Sequence, residues 1–381
     1  MKIRIGIRNN LFYPFMLLLF INLCRGIEII IKYTIKDKDN IKYIYPILIF
    51  IPQLFGGIFA QLYNINKEKK ENTKSTKIEG IELIKKTNEL KRPDSKNKIL
   101  LIVVLASYFN FITILLGKHY FPFYKQKPTD SFLERRIRSM QIFITSILCY
   151  LTLRIKIYKH QLFSIIIIFV FLIIIFVFEI FWVETSLYLL LIYVLHFLIR
   201  GFLDTSEKYL FEFNFVNTYI MLIYEGFISI ILYIILSIIY MNPLTIIKKI
   251  IDEEKETNFY IIIILIVLLI LFIILSGFRH IYRVNTIKLY SPMTHALTEL
   301  ILDPAFVAYS LAEMDDKDDI ISFFWPYFVI IVICLIIMSF LSLVYNDFIV
   351  LYCFGLEENT YLEIKNRAKF YSLTDIEVEE E

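Results

Sequence analysis

The chain has 381 residues, 58% hydrophobic and 17% aromatic, with a formal net charge of only +3 and a mean hydropathy of +0.64. Soluble domains hold about 45–50% apolar residues, so a water-soluble globule of this composition would expose large apolar patches. So small a net charge says little about nucleic acid, and four scattered cysteines without a CxxC pair suggest neither a disulfide framework nor a zinc site.

Taken in order, the chain opens with Lys2, Arg4 and Arg8 ahead of an apolar run from Leu11. A signal peptide would end in a small-residue cleavage site, but here the apolar character resumes past Arg25, which predicts a first spanning helix over 11–32. A second follows over 43–63, where Pro46, Pro52 and Gly56-Gly57 permit kinks. Residues 64–98 form the one long polar insert, with eleven Lys/Arg against six Asp/Glu, a net of +5. It reads as a flexible cytosolic loop, or alternatively as a lipid-headgroup or partner site. Helix three is expected over 99–117, followed by a basic connection at 118–138.

The pattern is organised around residues 140–178. An apolar stretch over 140–153 meets a basic elbow of Arg154, Lys156, Lys159 and His160, and 162–178 follows with Ser164 as its only polar residue. A surface helix shows polar residues every second turn, and this run shows none. Seventeen residues reach roughly 25 Å at about 1.5 Å each, and 179–183 supply the remainder of a roughly 30 Å hydrocarbon core. These are helices four and five, with the elbow in the cytosol because Lys and Arg concentrate in short cytosolic loops.

Helix six is expected over 185–202, interrupted by His196 and Arg200, and helix seven over 216–240, stopped by Asn242-Pro243. A mixed loop at 248–256 leads to helix eight over 259–275 and then to a basic turn with Arg279, His280, Arg283 and Lys288. Helix nine, 292–311, is the least hydrophobic, and an acidic loop at 313–319 follows it. Helix ten, 323–345, carries Trp325 and Tyr327 for an interfacial belt, and the tail ends acidic. The fold class expected is an all-α polytopic membrane protein of about ten transmembrane helices with both termini cytosolic. The 64–98 insert, the elbow and the 279–288 turn then fall inside and the acidic loop outside; only the 118–138 connection runs against the charge rule.

Residues 138–148 (Arg-Ser-Met-Gln-Ile-Phe-Ile-Thr-Ser-Ile-Leu), with Leu153-Arg154-Ile155-Lys156 closing the segment, resemble the fourth helix and following loop of the drug/metabolite transporter superfamily. That superfamily includes the EamA-type exporters and the nucleotide-sugar transporters, and residues 200–226 and 345–368 are similar to its eukaryotic members. The resemblance implies two inverted five-helix halves, 1–183 and 184–345, around a substrate cavity, with a cytosolic tail at 346–381. It implies a carrier that moves a small polar, anionic metabolite (a nucleotide sugar, sugar phosphate or similar) by alternating access. A homodimer is one expected assembly, and the Golgi or ER endomembranes or the plasma membrane the expected location. The chain departs from the superfamily's pattern in its long insert, its charged helix nine, and Glu225 in helix seven, where nucleotide-sugar carriers bear a lysine motif.

An ionised side chain mid-bilayer costs about 2.5–3.5 kcal/mol on insertion scales, so each should face protein or a water-filled cavity. The substrate- or coupling-site candidates are Arg25 and Glu28 in helix one, Asn110, Gln141, His196, Glu225, and the stripe His295, Glu299 and Asp303, each four residues apart in helix nine. Gln53 and Arg200 lie in the same apolar setting. Glu299 is the expected proton carrier, and Arg25 or Arg200 could hold an anionic group in fork geometry. Plainer readings stand beside these. Arg25 and Glu28 could neutralise each other, Arg200 could snorkel to the surface, and Glu299 and Asp303 could lock onto a basic neighbour. No Gly-rich phosphate loop, HExxH or GxSxG occurs, so no enzyme, cofactor or metal is expected. The alternatives are a non-transporting scaffold that docks through 64–98 and the tail, and an intramembrane transferase using His295 and Glu299. The partners expected are the lipid bilayer, a small solute and protons, with no nucleic acid.

Overall fold

The computed structural model describes residues 2–5, 12–34, 47–72, 95–117, 136–154, 157–181, 187–240, 259–301, 303–304, 320–358, 360 and 363–364. A short strand β1 (Lys2–Ile5) precedes α1 (Phe12–Thr34), α2 (Ile47–Asn72) and α3 (Lys96–Gly117). Then come α4 (Ser139–Leu148), which widens into a π-helical turn (Cys149–Leu153), α5 (Lys159–Phe181), α6 (Leu187–Phe213) and α7 (Thr218–Tyr240). The described chain closes with α8 (Phe259–Leu289), α9 (Pro292–Leu300), α10 (Ile320–Tyr345) and β2 (Ile349–Tyr352). Arg154, in the left-handed region at φ 52°, ends the π turn and starts the elbow before α5.

Seven of the described helices are long and apolar enough to cross a bilayer: α1, α2, α3, α5, α6, α7 and α8. Ser139–Leu153 and Val329–Tyr345 are shorter apolar helices. Lipid offers no hydrogen bonds to the backbone, so helices, which satisfy it internally, are what such runs must form. Their outward faces carry large apolar side chains such as Phe15, Leu101, Ile166, Ile238 and Val267, each more than half exposed. The chain is an all-α, multi-pass integral membrane protein.

Three boundaries differ from the sequence reading. α6 continues to Phe213 rather than ending near 202, because Asp204, Glu207 and Lys208 are turned into the protein and buried, so their charge does not stop the helix. α8 runs to Leu289 rather than 275, so the expected basic turn is helical, with His280 and Arg283 buried. α2 extends to Asn72, which makes the start of the 64–98 insert helical. The centre of that insert, the 118–135 connection, the acidic loop, residues 305–311 and the tail past 364 lie outside the described residues.

The chain forms two compact units. One holds Met1–Phe12, Tyr124–Phe197 and Met293–Glu381; the other holds Tyr13–Phe123 and Leu198–Pro292. In the first, α5 packs against α10 and α4, and Ile142, Ile168, Ile175, Leu297, Leu335 and Met338 fill the core. There β1 pairs antiparallel with β2, from Lys2↔Tyr352 to Ile5↔Ile349. In the second, α2 packs against α7 and α8, and α7 also packs against α3. Glycines set these approaches: a Cβ on Gly226 would stand 2.6 Å from the Leu54 backbone nitrogen, and one on Gly56 3.0 Å from the Gly277 carbonyl oxygen. Small residues let helix backbones approach closely in lipid, where the hydrophobic effect gives no drive to associate.

Candidate functional site

The second unit buries an ion cluster built from five helices. α6 supplies Asp204 and Glu207, three residues apart and so on one face. α7 supplies Glu225 and, one turn later, Ser229; α8 supplies Arg283; α2 and α3 supply Gln53 and Asn110. Asp204, Glu207, Glu225, Gln53 and Ser229 are all fully buried.

The Arg283 guanidinium is the hub. Its Nη2 lies 2.8 Å from Glu225 Oε2 and 2.8 Å from Glu207 Oε1, while Nη1 lies 3.7 Å from Asp204 Oδ1. Gln53 Nε2 donates to the same Glu225 oxygen at 2.6 Å. Asn110 Nδ2 in turn donates to Gln53 Oε1 at 3.0 Å and to Ser229 Oγ at 3.2 Å. An unbroken polar path therefore runs from α3 through α2 and α7 to α8 and α6. Lys208 turns elsewhere: its Nζ donates to the carbonyls of Lys288 at 2.8 Å and Tyr290 at 3.1 Å, and pairs with Glu212. It caps the carbonyl end of α8 as a cation suits a helix C-terminus.

The first unit holds a second cluster. Arg138 Nη1 stands 3.5 Å from Asp303 Oδ1 and 3.8 Å from Glu299 Oε2, and His295 Nε2 is 3.7 Å from Glu299 Oε1. Arg136, two residues before, forms a two-pronged pair with Glu179 near the end of α5, both fully buried. His160 Nε2 lies 2.9 Å from Asp347 Oδ1 just after α10.

No protein-family model and no curated protein matches the chain. What the site does is therefore argued from its residues.

Of the sequence candidates, Asn110 and Glu225 join one network, and His295, Glu299 and Asp303 form one stripe against Arg138. Gln141 is fully buried in α4, and His196 packs edge-on to the rings of Tyr193 and Phe197. Arg25 and Glu28 are half-buried on α1. The sequence reading missed Asp204, Glu207 and Arg283 as site residues. The signal for the two acids was present: 204 and 207 share a face of a helix, and apolar residues (Tyr209, Leu210, Phe211, Phe213) still dominate after them. Arg283 gave no such signal, because a basic group past an apolar run reads as the inner end of a span.

The clusters differ in make-up. Arg283 lies against three carboxylates, whereas Arg138 lies against two, one of which also meets His295. A buried ion costs several kcal/mol after relaxation unless paired and hydrogen-bonded, so an excess of acid in a dry bundle demands a compensating positive charge. Arg283 supplies that charge, and Gln53, held by Asn110, adds a neutral donor to Glu225.

Proposed function

We propose that the chain is a ten-helix membrane carrier that moves a small polar metabolite by alternating access. The observation that carries this reading is the buried network Asn110–Gln53–Glu225–Arg283–Glu207/Asp204 inside otherwise apolar spans. A purely anchoring bundle gains nothing from so many desolvated ions, whereas intramembrane ionisable groups mark solute and ion pathways.

Two features of the architecture support it. β1 ends at Ile5, α1 starts at Phe12, and β2 starts at Ile349, just past Tyr345. Seven residues span about 25 Å at most, short of a roughly 30 Å hydrocarbon core. The β1–β2 pair ties the first residues of the chain to the segment just past α10, as a carrier with an even number of crossings would. Seven long spans and two shorter apolar helices make nine, and the segment from α9 to the helical Asp303-Pro304 is the natural tenth. We place β1 and β2 on the cytosolic side, the side that Lys2, Arg4 and Arg8 favour.

The packing also suits two equivalent five-helix halves. The principal interhelical contacts are α2–α7, α2–α8, α3–α7 and α5–α10. Exchanging each helix with the one five places away maps these four onto one another, in keeping with inverted repeats, whereas the smaller α4–α5 and α7–α8 contacts have no counterpart of that size among the described residues. The solute class, an anionic metabolite such as a nucleotide sugar or sugar phosphate, rests on the resemblance of 138–156 alone, and the membrane is an endomembrane or the plasma membrane.

The test is uptake of nucleotide sugars, sugar phosphates and amino acids into sealed proteoliposomes, with thermal stabilisation of the purified protein by the same panel. One class should accumulate and also raise the melting temperature, since a ligand of the folded form stabilises it. Conversion of a panel member in detergent would establish an enzyme instead. No accumulation and no stabilisation by any class would remove the carrier reading.

A further inference from the structure

The excess of acid around Arg283 has a specific location. Glu225 Oε2 already accepts from Gln53 Nε2 and Arg283 Nη2, and Asn110 fixes the Gln53 amide by donating to its oxygen. That leaves Glu225 Oε1 and Glu207 Oε2, on fully buried side chains, without a hydrogen-bond partner. An orphaned carboxylate oxygen in a dry interior costs the desolvation of the whole group. Glu207 Oε1 and Glu225 Oε2 meet the same guanidinium nitrogen, Arg283 Nη2, at 2.8 Å each, which sets the two carboxyls side by side. A full negative charge on both is therefore only partly offset.

We propose that Glu207 and Glu225 share one exchangeable proton beside Arg283, making this pair the proton-binding site of the carrier. The proposal rests on the carrier reading for its purpose, but the proton itself is testable without any solute. The proton bonds to one of the two orphaned oxygens and is given to the other, and on release to water it leaves both carboxylates ionised against Arg283. No third reactant is needed. A proton suits the pair better than a metal ion, because among the described residues no three His, Cys, Asp or Glu side chains are placed to hold one.

The surrounding charges frame the titration. α6 adds Asp204 and, directed to the end of α8, Lys208; α8 adds Arg283 and the buried His280 one turn before it. Gln53 from α2, Asn110 from α3 and Ser229 from α7 are neutral. Deprotonation would weaken the hold of α6 on α7 while both keep Arg283, which gives a lever for a conformational change.

Infrared difference spectroscopy of the full chain in nanodiscs, titrated from acid to alkaline pH in light and heavy water, tests this. A protonated carboxyl band that persists at neutral pH, shifts on deuteration and disappears in either Glu207→Gln or Glu225→Gln is the expected result. Glu358→Gln, at an exposed acid paired with Lys159 outside the cluster, should retain it. Complete ionisation of the carboxyls at neutral pH, or a band that survives in both Gln variants, would overturn the proposal. Because Gln mimics a protonated Glu in shape and charge, at least one Gln variant must fold at wild-type yield; collapse of both would also count against it. Solute accumulation without the band would sink the proton site and spare the carrier, while the band without accumulation or stabilisation would do the reverse.

Discussion

Gly226→Ala tests whether the α2–α7 crossing holds the network in place. The added Cβ would stand 2.6 Å from the Leu54 nitrogen and 2.8 Å from its Cα. Ordinary contact begins at 3.4 Å, so the helices must part by about 0.8 Å at this point. The obstruction is backbone, which cannot rotate aside as a side chain would. Overpacking of this kind costs about 1–3 kcal/mol. It also stretches a hydrogen bond: Gln53, one residue before Leu54, donates to Glu225, one residue before Gly226, at 2.6 Å. A displacement of about 0.8 Å carries that bond past the limit of useful hydrogen-bond length. Two glycines on neighbouring helices serve as controls. A Cβ on Gly26 meets nothing within 4 Å, and one on Gly277 meets Pro52 O at 3.4 Å. Gly26→Ala and Gly277→Ala should therefore melt like the wild type in detergent, or slightly higher, since Ala favours a helix over Gly by about 1 kcal/mol. Gly226→Ala should melt clearly below both. If all three melt alike, the close approach at Gly226 is not what joins α2 to α7, and the reasoning fails.

Arg283→Gln takes the guanidinium away from the buried Asp204, Glu207 and Glu225, and removing one partner of a buried ion cluster costs about 3–5 kcal/mol. The variant should melt far lower, and adding Glu225→Gln should restore part of the loss; no restoration would separate the two residues energetically. Lys208→Met strips the cation from the carbonyls of Lys288 and Tyr290, a loss of about 1–3 kcal/mol, and should raise amide exchange selectively at the end of α8. Arg4→Cys with Val350→Cys tests the strand pair, because these residues face each other across the antiparallel register. The two should oxidise to an intramolecular disulfide in membranes, while Arg4→Cys with a cysteine at Phe354 should not.

What was legible in the sequence is what lipid demands of one helix at a time. Residues 162–178 have no polar face, so they must span, and α5 does run from Lys159 to Phe181. The His295, Glu299 and Asp303 stripe was legible for the same reason, since spacing by four is a property of a single helix. The partner of that stripe, Arg138, was in plain view at the head of the quoted segment, yet nothing in its own neighbourhood points to helix nine. The ends of α6 and α8 were misread through one assumption, that a charge following an apolar run has reached water. At Asp204, Glu207 and Arg283 the charges instead meet one another, across a separation in sequence that no periodicity bridges. Each charge, read alone, argues for ending its helix; together they allow both helices to continue, because the partner supplies what water would have supplied. The same compensation explains why Glu225 stood out: its flanks are apolar for several turns on both sides, so only a distant cation could keep it there. An isolated acid within a span is therefore a reason to search neighbouring helices for basic residues assigned to loops, and here that search leads from Glu225 to Arg283.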